Sequence, residues 1–302
     1  MLVGLCNNHW MFKSGFIAIV GRPNVGKSTL LNAMVQEPVS IVTHKPQTTR
    51  HKIMGVRHLK DAQLVFLDTP GIHTSQKAMN VTMVKTAYSG IEDADVVLHL
   101  IEPRLPISEE DQKIASKVEK YQKIHLVCIN KIDRVRKDEL LPLIEQAHQA
   151  WHPKEVFPLS ALRRDGVEAL LGLIVRDLPE GPAYFPAEQI TDRDLQFRIG
   201  EIVREKAFLY LHQEIPYSLT VEIERVEPGP KSLHIHGLII VEKESQKAMV
   251  IGKNGLSLKR IGTLARKDLE KLLGRKIYLE LYVKVVKNWA SDPHRIKEYG
   301  IS

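Results

Sequence analysis

With 302 residues, 43% of them hydrophobic and 26% charged, the chain is long enough for one full-sized globular domain and a second, smaller one. Two cysteines, Cys6 and Cys128, exclude a disulfide-built fold and point to a reducing, cytoplasmic setting, and no run approaches the roughly 20 apolar residues a spanning helix needs. The formal net charge of +7 makes nucleic acid or an anionic membrane surface a candidate partner, although a basic face is more often merely solvated.

Residues 1–10 lack the basic start and small-residue cleavage site of a signal peptide, so 1–13 is expected to be a disordered leader, with Met11 a second candidate start. From there to residue 178, short β-branched runs alternate with amphipathic stretches. Strands are predicted at 15–20, 53–58, 63–68, 96–101, 123–130 and 155–158, and helices at 27–35, 79–91, 109–121, 140–151 and 166–176. That alternation predicts an α/β domain over 14–178, a mostly parallel sheet with helices on both faces, whose ligands bind beyond the carboxyl ends of the strands. Cys128 lies inside an apolar run and is expected to be a buried thiol. Residues 179–191 open with Pro-Glu-Gly-Pro and read as a linker. Beyond it a helix (192–211), two strands (218–225 and 232–242), helices around 247–273 and a strand (276–286) form an α+β unit over 192–286, and 287–302 is a tail in which Trp289 is a packing candidate. His234 and His236 alternate on a predicted strand without metal-site spacing and read as strand-surface residues.

Gly21-Arg-Pro-Asn-Val-Gly-Lys-Ser28 joins a predicted strand to a predicted helix in the G-x-x-x-x-G-K-S pattern. Glycines let backbone N–H groups wrap a phosphate, and the helix N-terminus adds a favourable dipole. Gly21, Asn24, Val25, Gly26 and Thr29 are placed along this cradle; Lys27 neutralises the terminal phosphates, and the Ser28 hydroxyl is a ligand for magnesium. The loop alone does not choose between ATP and GTP. Asp68-Thr-Pro-Gly71 is in isolation a turn, but 41 residues after Lys27 and at a strand end its carboxylate suits the metal's coordination shell and the Gly71 N–H suits the γ-phosphate. In Gln47-Thr-Thr-Arg50 either Thr48 or Thr49 is placed to complete the metal shell from a mobile loop, with Thr49 preferred; polar loop residues are the plainer reading.

Asn130-Lys-Ile-Asp133 selects the base. The Asp133 carboxylate accepts two hydrogen bonds from guanine, which adenine does not offer, while Asn130 reaches the base edge and the Lys131 stem packs over the ring. Ser160-Ala-Leu162, past the next strand, fits a loop that backs the base with a backbone N–H. Lys27, Thr49 and Gly71 are therefore candidate catalytic positions, and Ser28, Thr49 and Asp68 the candidate metal ligands.

In the second unit, Gly252-Lys-Asn-Gly255 between two helices lets backbone approach nucleic-acid phosphates. Ile251, Val250, Leu258 and Ile261 are expected to floor a groove for unstacked bases, while Lys253, Asn254, Lys259, Arg260 and Arg266 face the backbone; from 250 to 276 there are eight Lys or Arg against Asp268 and Glu270.

Together GRPNVGKS, QTTR, DTPG, NKID and SAL resemble the TrmE–Era–EngA class of GTPases, and the following α-β-β-α-α-β order resembles a type II KH domain. The combination is similar to the Era family over residues 14–300, with Ile190-Thr-Asp192, Ser218-Leu-Thr-Val-Glu222 and Tyr278-Leu-Glu-Leu-Tyr-Val-Lys284 as further matching stretches. The resemblance implies an α/β P-loop GTPase domain plus an α+β type II KH domain, GTP/GDP and magnesium as ligands, and RNA binding through residues 251–255, 259, 260 and 266. It also implies partners in the small-subunit rRNA 3′ region and the small ribosomal subunit, nucleotide control of that binding, and peripheral association with the inner membrane. Small signalling GTPases carry a glutamine directly after Asp-x-x-Gly, whereas this chain has Ile72. The resemblance therefore implies slow turnover aided by a potassium ion at Asn24. Rival readings fare less well: a GTP-using modification enzyme would need a cofactor domain and a reactive cysteine near the end, and a tandem GTPase a second phosphate loop; a protein-binding switch is separated only by an RNA-binding test.

Overall fold

A strand that is apolar on both faces has to be covered on both, and the central strand Ile17-Ala-Ile-Val20 is fully buried. In the computed structural model, which describes residues 12–72 and 78–301, the first domain runs β1 (Lys13–Gly21), α1 (Lys27–Val35), β2 (Ile53–His58), β3 (Ala62–Asp68), α2 (Ala78–Asp93), β4 (Val96–Ile101), α3 (Glu109–Lys120), β5 (Ile124–Ile129), α4 (Leu140–Trp151), β6 (Glu155–Pro158) and α5 (Val167–Asp177). The strand order is β2-β3-β1-β4-β5-β6, parallel throughout except for β2, which runs antiparallel to β3. Ile17 and Ile19 pack with Leu30 and Met34 of α1 and Leu170 of α5, whereas Ala18 and Val20 pack with Ala87 and Ile91 of α2 and Ile114 of α3. Cys128 lies in the first of these layers, and burial pushes its thiol up to about 12. In this order β1 is flanked by β3 and β4, so the chain departs from it in both directions; the crevice at its carboxyl end is where such sheets bind ligands.

The leader expected at 1–13 lies outside the described residues up to 11; Lys13 already belongs to β1, paired with Ala62. Residues 179–191 are not a free tether. Gln63 accepts from the Tyr184 and Phe185 N–H groups at 2.7 and 3.0 Å, and the Val56 N–H donates to Ile190 O at 2.9 Å, so the segment straps the first domain and covers its β2 edge.

The second domain comprises α6 (Leu195–Tyr210), β7 (Thr220–Pro228), β8 (Leu233–Val241), α7 (Glu244–Ile251), α8 (Leu256–Leu273) and β9 (Ile277–Val285). Its sheet is mixed, with β7–β8 antiparallel and β8–β9 parallel. Helix α6 starts at Leu195 rather than 192 because the Asp194 side chain caps it, accepting from the Phe197 N–H at 2.7 Å. The tail at 287–302 folds too. It carries α9 (Pro293–Glu298), and fully buried Trp289 packs with Ile296, Ile301, Met79 and Met83 of α2 and Ile240 of β8, joining the two domains.

Candidate functional site

The loops after β1, β3, β5 and β6, with the segment between α1 and β2, surround a cleft of about 530 Å³ lined by Asn24, Gly26, Lys27, Ser28, Thr29, Thr48, Thr49, Gly71, Asn130, Lys131, Asp133 and Leu162 among others. The phosphate loop owes its shape to its glycines. Gly26 sits at φ +103°, and a Cβ there would lie 2.2 Å from Asn130 Nδ2; one on Gly71 would lie 2.7 Å from Pro23 N. The first motif glycine, Gly21, does not line the cleft but offers its carbonyl to Lys27 Nζ (3.1 Å), as Arg22 does at 2.9 Å. Val25 turns its side chain into the core and serves the loop through its backbone. Burial lowers the Lys27 amine to about 8, against the opposing pull of Asp68 and Asp111.

At one end of the cleft three hydroxyls and a carboxylate converge. Ser28 Oγ donates to Asp68 Oδ2 at 2.7 Å and lies 2.8 Å from Thr49 Oγ1, while Ser40 Oγ also donates to Asp68 Oδ2, at 2.9 Å. Asp68 Oδ1 is buried and accepts no hydrogen bond from the described residues, and burial raises the carboxyl above its usual range despite Ser28, Lys27 and Ser40. A buried carboxylate beside the hydroxyls of Ser28 and Thr49 is a donor set suited to a hard divalent cation. Thr48, the other candidate, is turned to Thr43 Oγ1 (2.5 Å) and Lys45 O (2.8 Å). Ile72 points into the core beside Ala18, Val20 and Ile91, away from the cleft.

At the other end Asn130 ties three loops together. Its Nδ2 donates to Val25 O at 2.8 Å, and its Oδ1 accepts from the Ala161 N–H at 2.9 Å, leaving one Nδ2 hydrogen for a base edge. Lys131 spans the cleft to Asn24 O at 2.6 Å and pairs with Glu102. Ser160 Oγ donates to Asp133 Oδ1 at 2.5 Å, which holds that carboxyl below the usual range and ready as an acceptor. Leu162 is three-quarters exposed at the rim. Asn24 Nδ2 donates to His44 O at 2.9 Å, bringing the phosphate loop against the segment that carries Thr49.

That segment also carries what sequence reasoning missed. Arg50 is buried and donates to carbonyls of the second domain, and Arg204 of α6 donates back to Thr48 O at 2.6 Å. Burial, with Arg204 beside it, pushes the Arg50 guanidinium down to about 9; at Glu201 burial opposes charge, but Arg204 outweighs it and keeps the carboxyl below its usual range. Arg22 donates to Asp111 Oδ2 at 2.9 Å, fixing the phosphate loop to α3. No local pattern signals contacts between residues 89 and 169 positions apart.

A second groove, of about 410 Å³, runs along α8 and β9 from Gly255 past Leu258, Lys259, Gly262, Thr263 and Arg266 to Leu279 and Leu281. Gly252 (φ +73°) is required because a Cβ would meet Ser257 Cβ at 2.6 Å, whereas Gly255 (φ +75°) faces open space. Lys253 and Asn254 are exposed at the turn, and Ile251 is half-buried. The expected floor is corrected: Val250 and Ile261 are fully buried in the core, and the groove's apolar wall is Leu258 with Leu279 and Leu281 of β9. Arg260, one residue round the helix from Lys259, is exposed but not among the groove residues. His234 and His236 lie on β8, the latter 2.9 Å from Glu280.

A strand–loop–helix phosphate cradle, a hydroxyl–carboxylate cluster and a base-end Asp define a P-loop GTPase domain, here joined to a KH domain. Family models agree on both halves: a 50S ribosome-binding GTPase model matches residues 16–131, and a KH domain model residues 214–290. The chain is 46% identical over 292 residues to GTPase Era of Syntrophus aciditrophicus, covering 96% of this chain and 95% of that one, and 44% identical to GTPase Era of Leuconostoc citreum at 96% of each. A crystal structure of Era in complex with MgGDPNP and nucleotides 1506–1542 of 16S ribosomal RNA superposes at TM-score 0.93 with 41% identity, covering 96% of this chain and 99% of that one. The chain belongs to the Era family of GTPases.

Proposed function

We propose that this GTPase uses nucleotide state to time binding of its KH groove to the 3′ region of small-subunit rRNA on the small ribosomal subunit. The observation that carries the reading is the pairing, in one chain, of the Lys27–Ser28–Thr49–Asp68 cluster with the glycine-flanked basic groove of α8. The related Era that superposes on this chain was crystallised with 16S rRNA nucleotides and a magnesium-bound GTP analogue, which supports the same ligands here.

Ser28, Thr49 and Asp68 would hold magnesium, which supplies charge compensation on the phosphate oxygens when bound. The loop's N–H groups and Lys27 cradle and neutralise the phosphates, the Gly71 N–H meets the γ-phosphate, and Asn130, Lys131, Asp133 and the Ser160–Leu162 loop hold guanine. With Ile72 buried in the core, position 72 offers no side chain to orient the attacking water, so intrinsic turnover is slow. Asn24, whose Nδ2 donates to the His44 carbonyl, has its amide oxygen as the group suited to a potassium ion near the phosphates. In the KH domain, Gly252–Gly255 admits the RNA backbone, Lys259 and Arg266 compensate phosphate charge, and the aliphatic wall takes unstacked bases. Among the described residues no helix is long and apolar enough to cross a membrane; peripheral membrane association rests on the net charge of +7.

The test is a double substitution, Gly252→Asp with Gly255→Asp. Binding to an RNA oligonucleotide of the small-subunit 3′ end should fall at least tenfold while GTP turnover stays at the wild-type rate. Undiminished RNA binding sinks the groove assignment.

A further inference from the structure

The segment from Ile41 to Lys52 lies between the two sites and is held from both sides. On the nucleotide side Thr49 Oγ1 is 2.8 Å from Ser28 Oγ. On the other side Arg50 Nη1 donates to Leu219 O at 2.6 Å, and Nη2 donates to Pro216 O and Tyr217 O at 2.9 and 3.1 Å. Those carbonyls belong to the turn that enters β7. The Arg50 guanidinium also lies 5.4 Å from the centre of the Phe208 ring of α6. Three more ties run the same way: Arg204 Nη2 to Thr48 O (2.6 Å), Lys45 Nζ to Phe208 O (2.5 Å) and to Leu211 O, and the Val42 N–H to Glu205 Oε1 (3.1 Å). Arg204 is itself neutralised by both oxygens of Glu201, at 2.6 and 2.7 Å. The helix that follows the Asp-Thr-Pro-Gly motif is gripped separately, through Met79 and Met83 against Trp289, Ile296 and Ile301.

The sequence places Thr49 and Arg50 next to each other, and the fold sends their side chains to opposite partners. A guanidinium buried to 1% exposure tolerates little displacement, because any shift strips it of acceptors in a place water does not reach. Two discrete arrangements follow, loop docked or loop released, rather than a continuum.

We propose that Arg50 is a positioning residue for GTP hydrolysis: held by the KH domain's Pro216, Tyr217 and Leu219 carbonyls, it sets Thr49 against Ser28 and Asp68. The KH domain thereby completes the nucleotide site from the outside. This rests on the reading of Thr49 as part of the magnesium and γ-phosphate set. Because couplings between binding sites are reciprocal, RNA that shifts α6 or the turn before β7 changes GTP affinity by the same factor that GTP changes RNA affinity, typically about 5- to 150-fold.

The experiment uses the full chain with Arg50→Met, which keeps length and apolar volume but removes every donor. Expected are a kcat at least about tenfold lower, GDP affinity within about threefold of wild type since GDP lacks the γ-phosphate, and a ratio of RNA affinities between the GTP-analogue and GDP forms that collapses toward one. Thr49→Ala measured alongside separates the two ideas. Wild-type kcat and an unchanged RNA ratio in Arg50→Met, with kcat lost in Thr49→Ala, overturn the role of Arg50 alone. Wild-type kcat in both overturns the Thr49 reading and this inference with it. An equal loss of GDP affinity and kcat in Arg50→Met makes the residue merely structural and also overturns it. Should Arg50→Met fail to fold, the half-exposed Lys45→Met loosens the same segment and is held to the same outcomes.

Discussion

Asn130 offers the sharpest quantitative test of how the nucleotide site is built. Its side chain is 2% exposed, and it bridges Val25 O at 2.8 Å and the Ala161 N–H at 2.9 Å, so one amide aligns the phosphate loop with the loop that carries Ala161. Asn130→Ala removes both bonds and leaves a buried carbonyl and a buried N–H without partners. Each unsatisfied group costs about 1–3 kcal/mol, so about 2–6 kcal/mol is at stake in total. Asn130→Asp separates the two halves. It keeps the acceptor for Ala161 but sets a carboxylate oxygen about 2.8 Å from the Val25 carbonyl oxygen, a contact that repels unless the acid is protonated. Urea unfolding of the nucleotide-free protein and titration with a fluorescent GDP together give the loss of stability and of affinity. For Asn130→Ala the two losses should sum to roughly that 2–6 kcal/mol, and Asn130→Asp should bind GDP more tightly at pH 5 than at pH 8. If Asn130→Ala leaves the unfolding midpoint unchanged and weakens GDP binding less than threefold, the bridge is not what aligns the two loops.

Two further outcomes follow from named groups. Burial, with His99 stacked beside it and Trp151 nearby, pushes the His125 imidazole down to about 3 from its ordinary 6.5. The proton therefore favours the unfolded chain: the stabilisation is complete above about pH 6.5 and is lost as pH falls toward 3, by up to about 1.4 kcal/mol per pH unit. Unfolding measured between pH 6.5 and 4 should be flatter by that amount in His125→Gln, and equal slopes would refute the assignment. GTP turnover should be faster in potassium than in sodium chloride, and Asn24→Ala should erase the difference; equal rates in the two salts for the parent protein end the potassium reading.

The first-domain sheet was readable because its strands are apolar on both faces and its helices amphipathic, signals that lie within a dozen residues. The boundaries that slipped did so where a side chain ends an element, as Asp194 does at the start of α6. Residues 179–191 and the tail read as a linker and an appendage because nothing local marks a segment whose partners are Gln63, Val56 or Met83. The same blindness misplaced Val250 and Ile261: both are apolar beside the Gly-x-x-Gly turn, and only packing against the second-domain core shows that they face inward.

By itself the sequence pointed to a GTPase and to the motifs of its nucleotide end. The Gly-x-x-x-x-Gly-Lys-Ser loop, the Asn-Lys-Ile-Asp signature and Ile72 where small signalling GTPases carry glutamine are short-range patterns, since glycine conformations, strand ends and helix starts fix where those atoms point. Tertiary structure alone decided that Thr49 rather than Thr48 meets Ser28, that Ile72 is buried, and that Arg50 belongs to the second domain's carbonyls. Ser28 and Thr49 are 21 positions apart and the contacts of Arg50 and Thr48 with the second domain more than 150; all are selected by burial and by the need of every buried polar group for a partner. Neither leaves a local mark along the chain.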